Sequence, residues 1–238
     1  MKKLLSLSLI MLTTLMAYAQ QPVGTFSIIP RVGMNLANLS NFSIVIGSES
    51  NKEVYSKYRP GLVIGADVEY QFSDKLAAST GLFYSEQGYK MPLGVEEMIG
   101  KSVYSIEDFK WKVSYLNMPI MLHGSLFRGL SVNAGVQLGY CLSGTGIQTI
   151  RKRTLLEGNA PEMKPANPDD FSKSTTEYNI KESTKAFDVS IPIGLSYEFS
   201  NIIIDARYNI GLTNTNKLDD DKMRNRVFMF TLGYRFAL

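Results

Sequence analysis

The chain has 238 residues and a formal net charge of +3 at pH 7. Lys2 and Lys3 lie in a segment that we expect to be removed, and subtracting their two charges leaves +1. A balance so close to neutral excludes the basic footprint of nucleic-acid-binding proteins. Cys141 is the only cysteine, which excludes an internal disulfide and a thiolate metal cluster. The length suits a single domain.

Residues 1–19 have the three parts of a secretory signal peptide. Two lysines come first, an apolar run follows, and Ala17-Tyr18-Ala19 forms a small-x-small cleavage site. The apolar run is shorter than the roughly 20 residues of a spanning helix, so we expect cleavage near Ala19/Gln20 and a mature domain of residues 20–238. No cysteine follows the site, which argues against a lipoprotein anchor. An exported chain without a later helical span is either soluble or a membrane β-barrel.

Alternating apolar and polar residues predict strands through the rest of the chain. In the segment 186–199, one phase reads Phe, Val, Ile, Ile, Leu, Tyr and Phe, and the other reads Asp, Ser, Pro, Gly, Ser and Glu. The segment 130–143 repeats this pattern, and helical periodicity is weak throughout. Eight strands are predicted, at 26–38, 61–72, 76–89, 111–123, 130–143, 186–199, 202–212 and 228–236.

The predicted connections alternate between short and long. The tight turns are Ser73-Asp74-Lys75, Gly124 to Arg128 and Ser200-Asn201, and the long connections are 39–58, 90–110, 144–183 and 213–225. Membrane barrels have short periplasmic turns and longer external loops. The pattern therefore predicts an all-β fold, an eight-stranded antiparallel up-and-down transmembrane β-barrel with both ends in the periplasm.

Alternation does not say which phase faces outward, because a soluble lipocalin-like barrel would place the apolar phase inside. Three observations favour a barrel whose apolar phase faces lipid. The polar phase is rich in glycine, which suits the narrow lumen of an eight-stranded barrel. Charges avoid the apolar phase, where Lys or Arg at the midplane would cost about 2–4 kcal/mol. Aromatic residues lie at both ends of the apolar phase and predict two interfacial girdles. The periplasmic girdle would be Tyr70, Phe72, Tyr197, Phe199, Tyr234 and Phe236, and the external girdle Tyr84, Tyr140 and Phe187.

The polar phase carries charges of both signs, which would then lie in the lumen. We expect them to pair and plug the barrel, because unpaired charges in a narrow, dry lumen are costly. A proton or ion path through the lumen is the alternative. The predicted lumenal charges are Arg31, Asp67, Glu69, Asp188, Glu198, Asp205, Arg207 and Arg235.

Residues 115–122, Tyr-Leu-Asn-Met-Pro-Ile-Met-Leu, resemble the YLEIPLLL strand of PorT-family outer-membrane β-barrels, which are common in the Bacteroidota. Asn117 stands where that family usually has Glu. The resemblance implies an outer-membrane barrel, and the family takes its name from a secretion component. Further similar segments are 30–35 (PRVGMN), 59–61 (RPG), 82–85 (LFYS), 207–212 (RYNIGL) and 232–236 (LGYRF).

Individual reactive residues give weak signals for chemistry. His123 could act as a general base, but with no motif around it we interpret it as a polar residue at the periplasmic rim. Cys141 falls in the lumenal phase, where we expect a small buried side chain. Asp219-Asp220-Asp221 could hold a divalent ion, although a solvated turn explains it as well. The sequence contains no phosphate loop, zinc motif or nucleophile elbow, so we expect no enzyme, cofactor or metal.

The connection 144–183 carries three consecutive cations, Arg151, Lys152 and Arg153. If Leu142 marks the external interface, these residues lie just above the membrane, where they could contact lipopolysaccharide phosphates. The alternative is a solvated charge run.

The preferred hypothesis is a non-enzymatic outer-membrane barrel with a filled lumen that presents extracellular loops for binding, adhesion or envelope integrity. Its expected partners are outer-membrane lipid, lipopolysaccharide and, during insertion, the barrel-assembly machinery. An accessory barrel of a secretion or transport system is the alternative. A small channel or an outer-membrane enzyme is less favoured, because one His and one Cys do not assemble an active site.

Overall fold

A computed structural model describes most of the chain. The described residues are 21–40, 42–46, 52–99, 102–154, 172–217 and 223–238. The expected signal peptide, 1–19, and the acidic triplet 219–221 lie outside them. No helix in the described part of the chain is long and apolar enough to span a membrane.

The described residues form twelve strands. In chain order they are β1 (Phe26–Leu39), β2 (Ser43–Ile46), β3 (Lys52–Tyr55), β4 (Lys57–Ser73), β5 (Leu76–Ile99), β6 (Ser102–Phe127), β7 (Leu130–Thr154), β8 (Ser172–Asn179), β9 (Phe187–Phe199), β10 (Ile202–Gly211), β11 (Asn225–Tyr234) and β12 (Phe236–Ala237). Eight of them pair in the order β1-β4-β5-β6-β7-β9-β10-β11, and β11 pairs with β1 to close the ring. The predicted eight-stranded up-and-down barrel is confirmed.

The short turns lie at one end of this ring. Ser200 and Asn201 have φ values of 48° and 69°, the left-handed conformation that two-residue hairpin turns require. The turn predicted at Gly124 to Arg128 was placed too early. β6 continues to Phe127, and Arg128-Gly129 makes the turn.

Three of the predicted long loops contain strand, which corrects the sequence prediction. The segment 90–110 continues β5 and β6, which pair with each other as far as Ile99 and Ser102. The segment 144–183 contains the outer half of β7 and all of β8, and 39–58 contains the β2–β3 hairpin. Residues 102–110 are half-buried on both faces of the sheet, so the two-residue periodicity that reveals a strand is weak there.

Side chains in the ring point as predicted, with the apolar phase outward. Ile64, Leu82 and Ile204 are 49%, 57% and 59% exposed, whereas Asp67 and Asp205 are fully buried. This reverses the arrangement of a soluble protein, in which the exposed phase is polar. The outer wall of the ring is therefore an apolar surface that suits acyl chains.

The glycines of the polar phase have a different role from the one predicted. A Cβ atom at Gly33 would lie 1.9 Å from the carbonyl oxygen of Phe230 on β11, and one at Gly65 would lie 2.2 Å from that of Leu82 on β5. These atoms belong to the neighbouring strands and cannot move aside. The glycines allow adjacent strands to approach closely in a strongly curved sheet, rather than only leaving space in the lumen.

Replacing Gly33 with Ala should therefore impair folding of the barrel by more than the ~1–3 kcal/mol typical of an overpacked side chain. Gly124→Ala is the matched control, because its Cβ would meet only Val132 Cγ2, at 3.5 Å. The measurement is the fraction of heat-modifiable, folded protein on unboiled gels after refolding in detergent. Equal yields for the two variants would contradict this role.

Candidate functional site

The centre of the lumen holds an ion-pair cluster built from three strands. Arg31 on β1 places its Nε 2.6 Å from Asp67 Oδ2 on β4. Arg207 on β10 lies between two carboxylates, with Nη2 3.9 Å from Asp67 Oδ2 and Nε 2.7 Å from Asp205 Oδ1. All four side chains are at most 3% exposed, so each charge depends on its partner rather than on water.

A second cluster lies toward the periplasmic end. Arg235, just after β11, donates from Nη1 to Glu69 Oε1 at 2.6 Å and from Nε to Glu198 Oε1 at 2.9 Å. One guanidinium thus joins β4 and β9 across the lumen. Hydrogen bonds between ionised groups are roughly twice as strong as those between neutral groups.

His123 links the two clusters, which corrects its expected place at the periplasmic rim. Its Nε2 lies 2.8 Å from Ser79 Oγ and 3.8 Å from Glu69 Oε2. Its Nδ1 lies 2.8 Å from Asn133 Oδ1, and Asn133 Nδ2 donates to Asp205 at 3.1 Å. The ring is only 7% exposed. Sequence reasoning missed this link, although His123 shares the lumenal parity of Asn117 on the same strand.

The lumenal network, as we call it, comprises two arginine clusters joined through His123, Ser79 and Asn133. It includes every predicted lumenal charge except Asp188. Asp188 lies nearer the external end, where it accepts a hydrogen bond from Thr213 Oγ1 at 2.8 Å. The network contains Arg31, Asp67, Glu69, Ser79, His123, Asn133, Glu198, Asp205, Arg207 and Arg235.

Little open space remains beside the lumenal network. A cavity of about 40 Å³ at the periplasmic end is lined by Arg31, Glu69, His123 and Arg235, among others. This volume suits one or a few water molecules, and Arg31 Nη1 has no hydrogen-bond partner among the residues that the structure describes. The arrangement can hold water at one end, but side chains block the middle of the barrel.

Above the ring, an external cap covers the opening. Its buried residues come from the end of β1, the β2–β3 hairpin, β5 and the segment before β11. Its aromatic rings pack closely, with centroids 5.9 Å apart for Tyr89 and Trp111 and 5.0 Å apart for Phe42 and Tyr89. Burial raises the pKa of the Tyr89 phenol, which keeps it neutral. The cap consists of Leu39, Phe42, Val54, Tyr89, Met91, Leu93, Phe109, Trp111 and Met223.

The predicted girdle residues lie on the outer wall. On the external side, Tyr84, Leu116, Tyr140 and Phe187 are successive cross-strand partners on β5, β6, β7 and β9. Tyr140 is 44% and Phe187 71% exposed. On the periplasmic side, Phe72, Tyr197, Tyr234 and Phe236 are exposed, and Tyr70 and Phe199 are half-buried. Phe26 and Phe127 also belong to this side, at 51% and 73% exposed.

The remaining candidate residues lie in the external half. Cys141 is buried, as expected, between β6 and the segment after β8. Arg151 Nε lies 2.7 Å from Glu107 Oε1, and Lys152 Nζ lies 5.5 Å from the centre of the Tyr104 ring. The side chain of Arg153 lies outside the described part. In that part, no three His, Cys, Asp or Glu side chains are arranged to hold a metal ion.

A family model described as an outer membrane protein beta-barrel domain matches residues 18–217. The matched region contains seven of the eight ring strands, and the eighth strand closes the barrel beyond it. Comparison with curated proteins gives no match.

Solved outer-membrane proteins are similar to the chain at low identity. Ail, the attachment invasion locus protein of Yersinia pestis, is 14% identical, with 90% of this chain and 100% of Ail covered and a TM-score of 0.37. Neisserial surface protein A is 13% identical, with coverages of 89% and 97% and a TM-score of 0.41. OprG from Pseudomonas aeruginosa is 11% identical, with coverages of 91% and 98% and a TM-score of 0.39. Similarities of this size do not extend to function.

Removing one partner of a lumenal ion pair should destabilise the protein more than removing both. Among the described residues, Arg31→Met leaves Asp67 with one cation, Arg207 at 3.9 Å, and we expect a loss of about 3 kcal/mol in the free energy of unfolding. Adding Asp67→Leu should recover most of that loss, because an apolar pair replaces a buried charge. Lys75→Met, in an exposed turn, is the control.

The measurement is urea unfolding in detergent micelles, followed by the fluorescence of Trp111, the only tryptophan. If the double variant is no more stable than Arg31→Met, the unpaired charge of Asp67 is not the cause of the lost stability, and the prediction is wrong.

Proposed function

The chain belongs to the outer membrane protein β-barrel domain family, and from that premise we propose that it is a non-enzymatic barrel with a closed lumen whose external sheet and cap bind a partner or surface. Its location is the outer membrane, and we infer that the segment 1–19 is the export signal removed on the way there. The lumenal network carries the proposal, because it fills the ring from side to side.

The external cap supports the same function. Rings and methionines close the outer opening, so a solute would meet an apolar barrier above a charged one. Filled interiors are typical of eight-stranded barrels. Because a filled lumen disfavours transport, we assign the function to the surface above the membrane.

That surface is large, because three strands extend far beyond the bilayer. β5, β6 and β7 have 24, 26 and 25 residues, whereas a strand crosses the membrane with about 9–11. β8 widens the protruding part by pairing with β7 between Thr145 and Lys152. A paired sheet holds its side chains in a fixed arrangement. Such a surface can bind a partner more specifically than a loop can.

An accessory role in secretion is the second candidate, and the resemblance of residues 115–122 to PorT-family strands supports it. In the structure, Tyr115, Asn117 and Met121 are buried. These positions therefore shape the lumen rather than a partner surface, and we rank this function second. Crosslinking of intact outer membranes through the β5–β6 extension would favour it if it captured secretion components.

Shortening the protruding sheet should abolish binding without disturbing the barrel. Pro92 and Asp108 are cross-strand partners, so joining them through Asn-Gly removes the end of the hairpin at a place where its strands are already paired. We expect adherence of expressing cells to immobilised glycans and matrix proteins to fall to the level of cells without the barrel. An Asn-Gly replacement of Ser200-Asn201, at the opposite end, is the control. Unchanged adherence after trimming would contradict a binding role for this sheet.

The purified protein should show no steady conductance of nanosiemens size in planar bilayers. A variant with residues 42–55 replaced by a Gly-Ser linker should also stay closed, because it lacks part of the cap but keeps the lumenal network. Steady conductance in the unmodified protein would instead support the channel alternative.

A further inference from the structure

Three lysines lie side by side on the outer part of β4, β5 and β6. Lys57 is the cross-strand partner of Lys90, and Lys90 is the partner of Lys110. Partners in an antiparallel pair have Cα atoms about 4.5–5.5 Å apart, and like charges placed opposite each other destabilise the sheet. We call these three residues the basic row. An anion bound beside them would remove the repulsion.

The basic row lies on the outside of the protein. Tyr89, next to Lys90, and Trp111, next to Lys110, belong to the external cap. Adjacent side chains of a strand point to opposite faces, so Lys90 and Lys110 point away from the cap. Lys57 and Lys90 are exposed and make no ion pair with any residue that the structure describes.

Just below the row, two more cations are held in place by one carboxylate. Glu86 lies 3.0 Å from Lys112 Nζ and 3.7 Å from Arg59 Nη2, and it accepts a hydrogen bond of 3.2 Å from Tyr84, a girdle residue. Lys110 of the row contacts Asp108 at 2.8 Å. The patch as a whole has five cations and two carboxylates, so a net charge of +3 remains for a ligand.

The height of the patch above the girdle indicates which ligand it meets. On β6, Lys112 and Lys110 come four and six residues outward from Leu116, which is 39% exposed and is the cross-strand partner of Tyr84. At about 3.4 Å per residue and a tilt of about 40°, they lie roughly 10 and 15 Å beyond it. The headgroup layer is about 5–8 Å thick on each side of the hydrocarbon, so the cations lie just outside it, level with the phosphorylated sugars that lipopolysaccharide carries above its acyl chains.

The same geometry argues against the triplet that the sequence suggested. Arg151 is eleven residues beyond Tyr140 on β7, or about 30 Å further out, and its guanidinium is paired with Glu107. Residues 151–153 belong to the extended strand β7 rather than to a loop, so they lie far from the membrane.

We propose that the outer wall of β4–β5–β6 binds phosphate groups of lipopolysaccharide in the outer leaflet. Glu86 orients Arg59 and Lys112 toward a phosphate near the bilayer, and the basic row meets phosphates further out. Arg and Lys are the usual phosphate-binding side chains. The site goes beyond the proposed binding function, because it lies on the lipid-side wall and does not need the tip of the protruding sheet.

The test compares the full-length mature protein with the variant Lys57→Gln/Lys90→Gln/Lys110→Gln, both extracted from outer membranes. Phosphate and fatty-acid assays measure the lipopolysaccharide that co-purifies. We expect at least a tenfold loss in the variant. The matched control, Arg151→Gln/Lys152→Gln/Lys173→Gln, removes the same charge further from the membrane and should keep its lipopolysaccharide.

A second measurement separates lost binding from lost folding. In neutral phosphatidylcholine vesicles the basic-row variant should unfold at the same temperature as the unmodified protein, or higher, because repulsion has been removed. Adding lipopolysaccharide should raise the unfolding temperature of the unmodified protein by clearly more than that of the variant, which keeps only Arg59 and Lys112. Chemically dephosphorylated lipopolysaccharide should have no effect on either protein.

Three outcomes would overturn the proposal. The basic-row variant could retain its lipopolysaccharide, or the control could lose as much. Dephosphorylated lipopolysaccharide could stabilise the protein as well as the intact form, which would assign the contact to sugars. An acidic peptide that binds the unmodified protein when lipopolysaccharide does not would assign the patch to a protein partner. None of these results would bear on adherence through the protruding sheet.

Discussion

The structure depends on the pairing of charges inside a ring that is too narrow to hydrate them. Eight strands leave space mainly for side chains, and the wall around that space faces acyl chains. A carboxylate or guanidinium placed there needs an oppositely charged partner from the chain. Arg235 does so across β4 and β9, and Arg207 across β4 and within β10. The lumenal network therefore ties together strands that are distant in sequence, as an apolar core does in a soluble protein.

The same network supports the proposed function. Because side chains occupy the middle of the barrel and the external cap lies above it, we propose the protruding sheet and the outer wall as the surfaces that meet a partner. The strands that build the ring also build the protruding sheet, and they continue with the same pairing. The lipid-facing barrel thus serves as a rigid base for the exposed part.

The two surfaces differ in chemistry because they meet different surroundings. The protruding end of the sheet is mixed and polar, and Arg151 pairs there with Glu107. Nearer the membrane, on β4 to β6, cations outnumber carboxylates, and Lys57 and Lys90 of the basic row make no ion pair with the described residues. One continuous sheet therefore passes from an apolar zone through a cationic zone to a mixed polar zone.

The sequence by itself determined the ring strands, the direction of their faces and the charges that enter the lumen. Those properties follow from two-residue alternation, which is strong wherever one face meets lipid and the other meets polar side chains.

Only the tertiary structure decided the features that do not appear as alternation in the sequence. It set the length of β5 to β7 above the membrane, where both faces are similar, and it placed His123 within the lumenal network. It showed that Gly33 is needed because a neighbouring strand approaches closely, and it aligned Lys57, Lys90 and Lys110. Such features depend on register between distant segments, and register is fixed by hydrogen bonds that a local pattern does not contain.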